Sequence, residues 1–311
     1  KMSTKEIRLG RGGKTLESPG EARGYLLIAT ASVLWGTLGI FAKLSFEYAS
    51  NSETLIALRL VISFATLSAI LILFDRNSLK IQKTDVTWFL IFGIFAVALQ
   101  RISYFSAVHL TTATIAAMLF YTYPVFVTLL AYIVLREKIA KGELLAIALT
   151  FSGVALIVKV YDSSSLNVNA TGIVFGLASS LFFVLYFMMT KKLRNRYTSW
   201  TLTVYGDGIG ALILTPIISF SFPQIIEFPS QLWLLIFVIA WVPSLLAYLL
   251  YSYAIKYVKA SKGSIISVIE PLSATLFSTI FVGERLENLQ LVGIVLALAG
   301  VILLFKKSKV T

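Results

Sequence analysis

Polar positions are sparse and clustered along this chain, and the stretches between the clusters are long and apolar. Ten apolar runs can be read, at roughly 24–46, 51–74, 85–107, 111–135, 142–160, 170–192, 198–220, 230–254, 260–282 and 288–306. Each is close to the ~20 residues that an α-helix needs to span about 30 Å of hydrocarbon. Segments of ~10 residues with alternating polarity, which a transmembrane barrel requires, do not occur. The pattern predicts an all-α polytopic membrane protein with ten transmembrane helices. Residues 1–23 are polar, basic and Gly-containing, and are expected to form a disordered tail.

The clusters between the runs predict the orientation. The N-terminal tail, Arg76/Lys80/Lys83, Arg136/Lys138/Lys141, Lys191/Lys192/Arg194/Arg196, Lys256/Lys259/Lys262 and Lys306/Lys307/Lys309 all fall on one side of the spans. Glu47/Glu53, His109, Asp162, Gln224/Glu227 and Glu284/Arg285 fall on the other. Cytoplasmic loops concentrate Lys and Arg, so both termini are expected in the cytoplasm and the chain in the cytoplasmic (inner) membrane.

The pattern also repeats. Pro124 and Glu137 stand 147 positions before Pro271 and Glu284, and the pairs Tyr104/Tyr251, Thr128/Thr275 and Gly153/Gly300 share that spacing. Gly24/Gly172 and Lys43/Lys191 match at 148. The expected organisation is a tail at 1–23, a first five-helix repeat at 24–160 and a second at 161–311. Five spans are an odd number, so the second repeat must lie inverted. The loops agree, because the basic residues change sides between matching links. Inverted repeats are characteristic of secondary transporters, whose substrate site lies between the repeats near the midplane.

Composition narrows the function by exclusion. At 58% hydrophobic and 14% charged, the chain has too little charge to cover a soluble surface. The net charge of +12 is accounted for by loops and leaves no basic face for nucleic acid. With no Cys and one His, thiolate chemistry and His-cluster metal sites are excluded. No GxxxxGK[ST] loop is present, so ATP drive is not expected. The single His109 lies at a span end and Asp207 is a lone deep acid, which suits neither a Ser–His nor a paired-Asp protease. No repeated polar stripe suggests a channel. A non-enzymatic carrier without cofactor, metal or obligate protein partner is the expectation.

A Pro within spans 4 and 9, followed by Arg136-Glu137-Lys138 and Gly283-Glu284-Arg285, resembles the EamA-type branch of the drug/metabolite transporter superfamily. Arg59 within Ala57-Leu58-Arg59-Leu60 is similar to the family pattern too, whereas Arg136 stands where the family has Gly. The resemblance implies export of amino acids, including aromatic ones, or of similar small metabolites. Cationic drugs or choline-type substrates are the alternative. It also implies a central cavity surrounded by spans 1, 3, 4, 6, 8 and 9.

Candidate substrate residues on those spans are Trp35, Arg101, Tyr104, Tyr123, Tyr186, Tyr248, Tyr251 and Glu270. Aromatic walls suit an aromatic side chain by stacking or a cation by attraction to the ring face. Glu270 is an ionisable residue at membrane depth, which marks it as the candidate for a coupling proton or a substrate amine. Pro124 and Pro271 are candidate hinges, and Pro271 is expected to leave the Ser267 carbonyl without its usual helical partner. Arg59 and Asp207, in spans 2 and 7, are expected to anchor peripheral helices.

Overall fold

The computed structural model describes residues 19–46, 48, 52–162, 169–283 and 285–305. Most of the predicted tail, Glu47, Glu284 and the cluster Lys306/Lys307/Lys309 lie outside the described residues. Among the described residues there is helix and no strand. The segments are α1 (Pro19–Gly36, resuming as Leu38–Phe46), α2 (Ser52–Phe74), α3 (Val86–Ile91, Phe92–Leu99 and Gln100–Leu110), α4 (Ala113–Phe120 and Tyr123–Val134) and α5 (Lys141–Ile157). They continue as α6 (Ala170–Leu193), α7 (Ser199–Ile226), α8 (Ser230–Ile239, Ala240–Leu246 and Ala247–Ala254), α9 (Ala260–Ile266, Ile269–Phe277 and Ser278–Val282) and α10 (Asn288–Phe305). Helix thus covers each predicted span. Among the described residues, seven stretches, in α1, α2, α3, α4, α6, α8 and α9, are long and apolar enough to cross a membrane.

The irregularities recur in both halves. In α3 the turns Phe92–Leu99 are widened to π geometry, and in α8 the turns Ala240–Leu246 are widened at the matching place. The helix is also interrupted at Tyr121–Thr122 in α4 and at Ser267–Val268 in α9, one residue from exact correspondence. Pro124 and Pro271 sit in the first turn of the restarted helices, where the missing N–H is not needed. Pro271 does not orphan the Ser267 carbonyl: the backbone N–H of Glu270 donates to it at 3.0 Å, closing a tight turn in place of the helical bond.

Packing exchanges the halves. α2 lies against α7 and α5 against α10, while α6 packs on α3 and α4 and α1 packs on α8 and α9. The first helix of each half is therefore embedded in the other half. Glycines permit the closest approaches. A Cβ on Gly153 of α5 would lie 2.6 Å from the Gly293 carbonyl oxygen of α10, and one on Gly210 of α7 would lie 2.7 Å from Val97 of α3. Beyond the α5–α10 seam, Lys159 and Tyr161 each donate to Glu287 at 2.6 Å. These bonds, that from Lys159 foremost, hold the Glu287 carboxyl below its ordinary pKa. Desolvation, and then the bond to Glu287, push the Tyr161 hydroxyl up to about 12.

The exits of α4 and α9 match in backbone form. Gly283 has φ 75° and Arg136, at the same place in the first half, has φ 55°. Both are left-handed, a region that costs an ordinary L-residue roughly 1 kcal/mol and glycine almost nothing. Arg136 keeps this conformation because the next residue, Glu137, reaches across to the start of α9. Arg136→Gly is expected to raise stability by about 0.5–1 kcal/mol, seen as a higher unfolding temperature in detergent with transport unchanged.

Candidate functional site

The centre of the molecule is a cluster of aromatic rings drawn from both halves. Trp35 of α1 has its ring centroid 5.0 Å from Tyr248, 5.5 Å from Tyr251 and 6.3 Å from Phe183. Phe183 stacks on Tyr186 at 5.7 Å and meets Tyr123 edge-on at 4.9 Å. Tyr104 joins through Phe120, which lies 5.4 Å from Tyr104 and 5.3 Å from Tyr123. Edge-to-face and offset pairs of this kind each add about 0.5–1.5 kcal/mol beyond area burial.

Several contacts join residues that occupy equivalent places in the two halves. Trp35 and Phe183 are such a pair, 148 positions apart. So are Arg101 and Tyr248, 147 apart, with the guanidinium 5.4 Å from the ring centroid. The halves meet along the line through these contacts.

On that line lies a small cavity lined by Phe92, Val97, Arg101, Tyr186, Thr203, Asp207 and Tyr248, among others. It holds about one water-sized sphere, so the surrounding helices leave little free space there. Gly206 of α7 keeps the wall thin, because a Cβ there would lie 2.8 Å from the Phe92 ring. Arg101 is 4% exposed; it donates from Nη1 to the Val97 carbonyl at 2.8 Å, and its Nε has no partner. Asp207 is 5% exposed and accepts from Ser63 Oγ at 2.5 Å. Arg59 of α2 is also buried, its Nε without a partner among the described residues, within electrostatic reach of both Arg101 and Asp207.

The structure therefore brings Trp35, Arg101, Tyr104, Tyr123, Tyr186, Tyr248 and Tyr251 into one network. Of these, only Arg101, Tyr186 and Tyr248 line the cavity. Among the described residues the Trp35 Nε1 and the Tyr251 hydroxyl are buried without hydrogen-bond partners, and such atoms are uncommon away from sites that bind water or ligand. Glu270 stands apart from the cavity. Partly buried in the first turn after the α9 break, it lies near Tyr104, Tyr121 and Tyr123. No hydrogen bond or ion pair to its carboxylate occurs among the described residues. His109 is exposed at the end of α3.

Asp207 is the cavity residue that sequence reasoning placed at the periphery. The signal was present: Asp207 stands 148 positions after Arg59, so the two occupy equivalent places in the halves. Gly206 and Gly210 pack closely against Phe92 and Val97, and so bring α7 onto the widened turns of α3.

The model of the EamA-like transporter family matches this chain twice, over residues 22–159 and 170–306. The chain belongs to the EamA-like transporter family. It is a multi-pass membrane transporter. An uncharacterized transporter of Archaeoglobus fulgidus is 30% identical over 284 residues, covering 91% of this chain and 97% of that protein. The uncharacterized transporter YxxF of Bacillus subtilis is 29% identical over 225 residues, 72% of this chain and 71% of its own. The uncharacterized inner membrane transporter YicL of Salmonella typhimurium is 25% identical over 294 residues, with 92% and 96% covered. A solved crystal structure, 17% identical, superposes with a TM-score of 0.77 over 91% of this chain and 96% of that one, and shares the fold.

Proposed function

We propose that this transporter is a secondary or facilitative carrier that exports amino acids, aromatic ones foremost, or similar small metabolites by alternating access. In this reading the chain crosses the cytoplasmic membrane ten times as two inverted five-helix halves, 24–160 and 161–311, with both termini cytoplasmic. The observation that carries it is the small cavity on the line where equivalent residues of the halves meet, lined by Arg101 and Asp207 together with Tyr186 and Tyr248. A site on such a line can be opened to either side by equivalent movements of the two halves. The exchanged packing of α1 and α6 supports the inverted arrangement, since each half grips the first helix of the other. The breaks before Pro124 and Pro271 are the bending points.

Glu270, beside three tyrosines and with no ion partner among the described residues, is the group that takes up the coupling proton. The same surroundings favour a second reading, an organic cation held by the carboxylate and the ring faces.

Counterflow in proteoliposomes tests both. Vesicles preloaded with mixed amino acids are expected to accumulate labelled phenylalanine, tyrosine or tryptophan saturably. Exchange of choline alone would move the reading to cations. Glu270→Gln is expected to abolish proton-driven accumulation and flatten its pH dependence while the protein still folds. A pH dependence identical to wild type would remove Glu270 from the coupling step.

A further inference from the structure

The cavity carries an asymmetry that the carrier reading does not use. Its wall contains two groups of opposite charge, Arg101 from α3 and Asp207 from α7, each more than nine-tenths buried. Neither is fully engaged. Arg101 has an Nε–H without a partner, and Asp207 has one hydrogen bond, from Ser63, with no ion pair within 4.0 Å among the described residues. Buried charges are normally paired and hydrogen-bonded, and breaking such a pair is costly, so two incompletely satisfied charges facing one space call for a third party. Arg59, within electrostatic reach of both, makes the local count two positive and one negative.

That count restricts what can enter. A cation without a carboxylate would meet two guanidiniums against one carboxylate. An anion without an ammonium would have Asp207 facing it. A molecule bearing both charges can set its carboxylate on Arg101, whose planar fork suits that group, and its ammonium on Asp207. We infer that Asp207 is the specificity-determining residue for the ammonium end of the cargo and Arg101 for its carboxylate end, so that the cavity selects zwitterions over analogues carrying one of the two charges. Ser63 is a positioning residue, holding the Asp207 carboxylate toward the cavity. The inference rests on the carrier reading only for the location of the cargo; the binding it describes can be measured without transport. Glu270 is not part of it and remains free for coupling.

The test compares three ligands of one shape on the full-length chain: L-phenylalanine, 2-phenylethylamine, which lacks the carboxylate, and 3-phenylpropionate, which lacks the ammonium. Equilibrium binding in detergent and counterflow in vesicles are both read. Wild type is expected to bind phenylalanine at least ~10-fold tighter than either analogue, because a buried polar site rejects a ligand that leaves it unpaired. Asp207→Asn is expected to weaken phenylalanine ~10-fold or more while sparing 3-phenylpropionate, and Arg101→Gln to weaken it while sparing 2-phenylethylamine. Asp207→Glu is expected to restore the preference in part.

Equal losses for all three ligands in Asp207→Asn would reduce Asp207 to a structural counter-ion and overturn the inference. A wild type that prefers either analogue, or binds none of the three, would overturn it too. Should Asp207→Asn fail to fold, the wild-type ranking alone decides. Binding with the expected ranking but no counterflow would overturn the carrier reading and leave this assignment standing. Counterflow of choline or 2-phenylethylamine without phenylalanine would do the reverse.

Discussion

Gly36→Ala is expected to lower stability by about 1–3 kcal/mol and to abolish exchange. A Cβ on Gly36 would lie 2.6 Å from the Ser273 Cβ, 2.9 Å from the Ala274 nitrogen and 2.9 Å from the Glu270 carbonyl oxygen. Two of those three atoms are backbone and cannot swing aside, so α1 must back away from α9. The residue before Gly36 is Trp35, whose ring touches Tyr248 and Tyr251. Retreat of α1 therefore pulls the indole out of the central cluster and also loosens the turn that carries Glu270. Gly39→Ala is the control. Nothing lies within 4 Å of a Cβ there, and a change within ~0.5 kcal/mol is expected. Thermal unfolding in detergent, read beside phenylalanine counterflow, checks both variants. Wild-type behaviour of Gly36→Ala would show that α1 and α9 are not held in this close approach.

The second large effect belongs to Glu137. Its carboxylate accepts from the Ala260 N–H at 2.9 Å, the Ser261 N–H at 3.3 Å and the Ser261 hydroxyl at 3.0 Å. It thus caps the start of α9 from the end of α4, satisfying N–H groups that have no partner within their own helix. Lys259 reinforces the junction, donating to the Lys138 carbonyl at 2.8 Å and lying 3.6 Å from Glu143. Glu137→Ala removes three acceptor contacts at once and is expected to cost about 1–3 kcal/mol. Glu137→Gln, which keeps one carbonyl acceptor, is expected to cost less. The loss is local, so amide exchange should accelerate first at Ala260 and Ser261. Uniform acceleration over the whole chain would show that the cap has no distinct part in holding α4 to α9.

Much of this arrangement is legible in the amino-acid pattern alone. Helix formation follows from runs of about 20 apolar residues, and the internal repeat follows from Pro124/Pro271 and Tyr104/Tyr251. The equivalence of Arg101 and Tyr248, visible in their spacing, is realised as a contact. Depth and rotation are not legible in that way. Asp207 and Glu270 look alike as acids in apolar runs. One faces a guanidinium across the cavity, and the other faces three tyrosines, because that choice depends on the rotation of α7 and α9 about their axes. The break in α9 likewise precedes Pro271 by a few residues, since the chain places the proline where a new helix can accept it. Arg136 shows the reverse limit, a residue type that argues against a left-handed turn that tertiary contact imposes.

The widened turns Phe92–Leu99 and Ala240–Leu246 have a further consequence. Arg101 and Tyr248 each stand two residues beyond them, and Tyr104 and Tyr251 one helical turn later. In a regular helix each residue advances the side-chain direction by about 100°. A stretch of wider turns, with more residues in each, resets that phase for everything after it without greatly changing where the helix runs. The two stretches therefore act as angular spacers, deciding which face of α3 and of α8 is presented inward. Gaining or losing one residue within either would be felt as a rotation of its inward face rather than a shift along the membrane. The position of a polar side chain in this protein is thus set by a residue count several turns away as well as by its own neighbours.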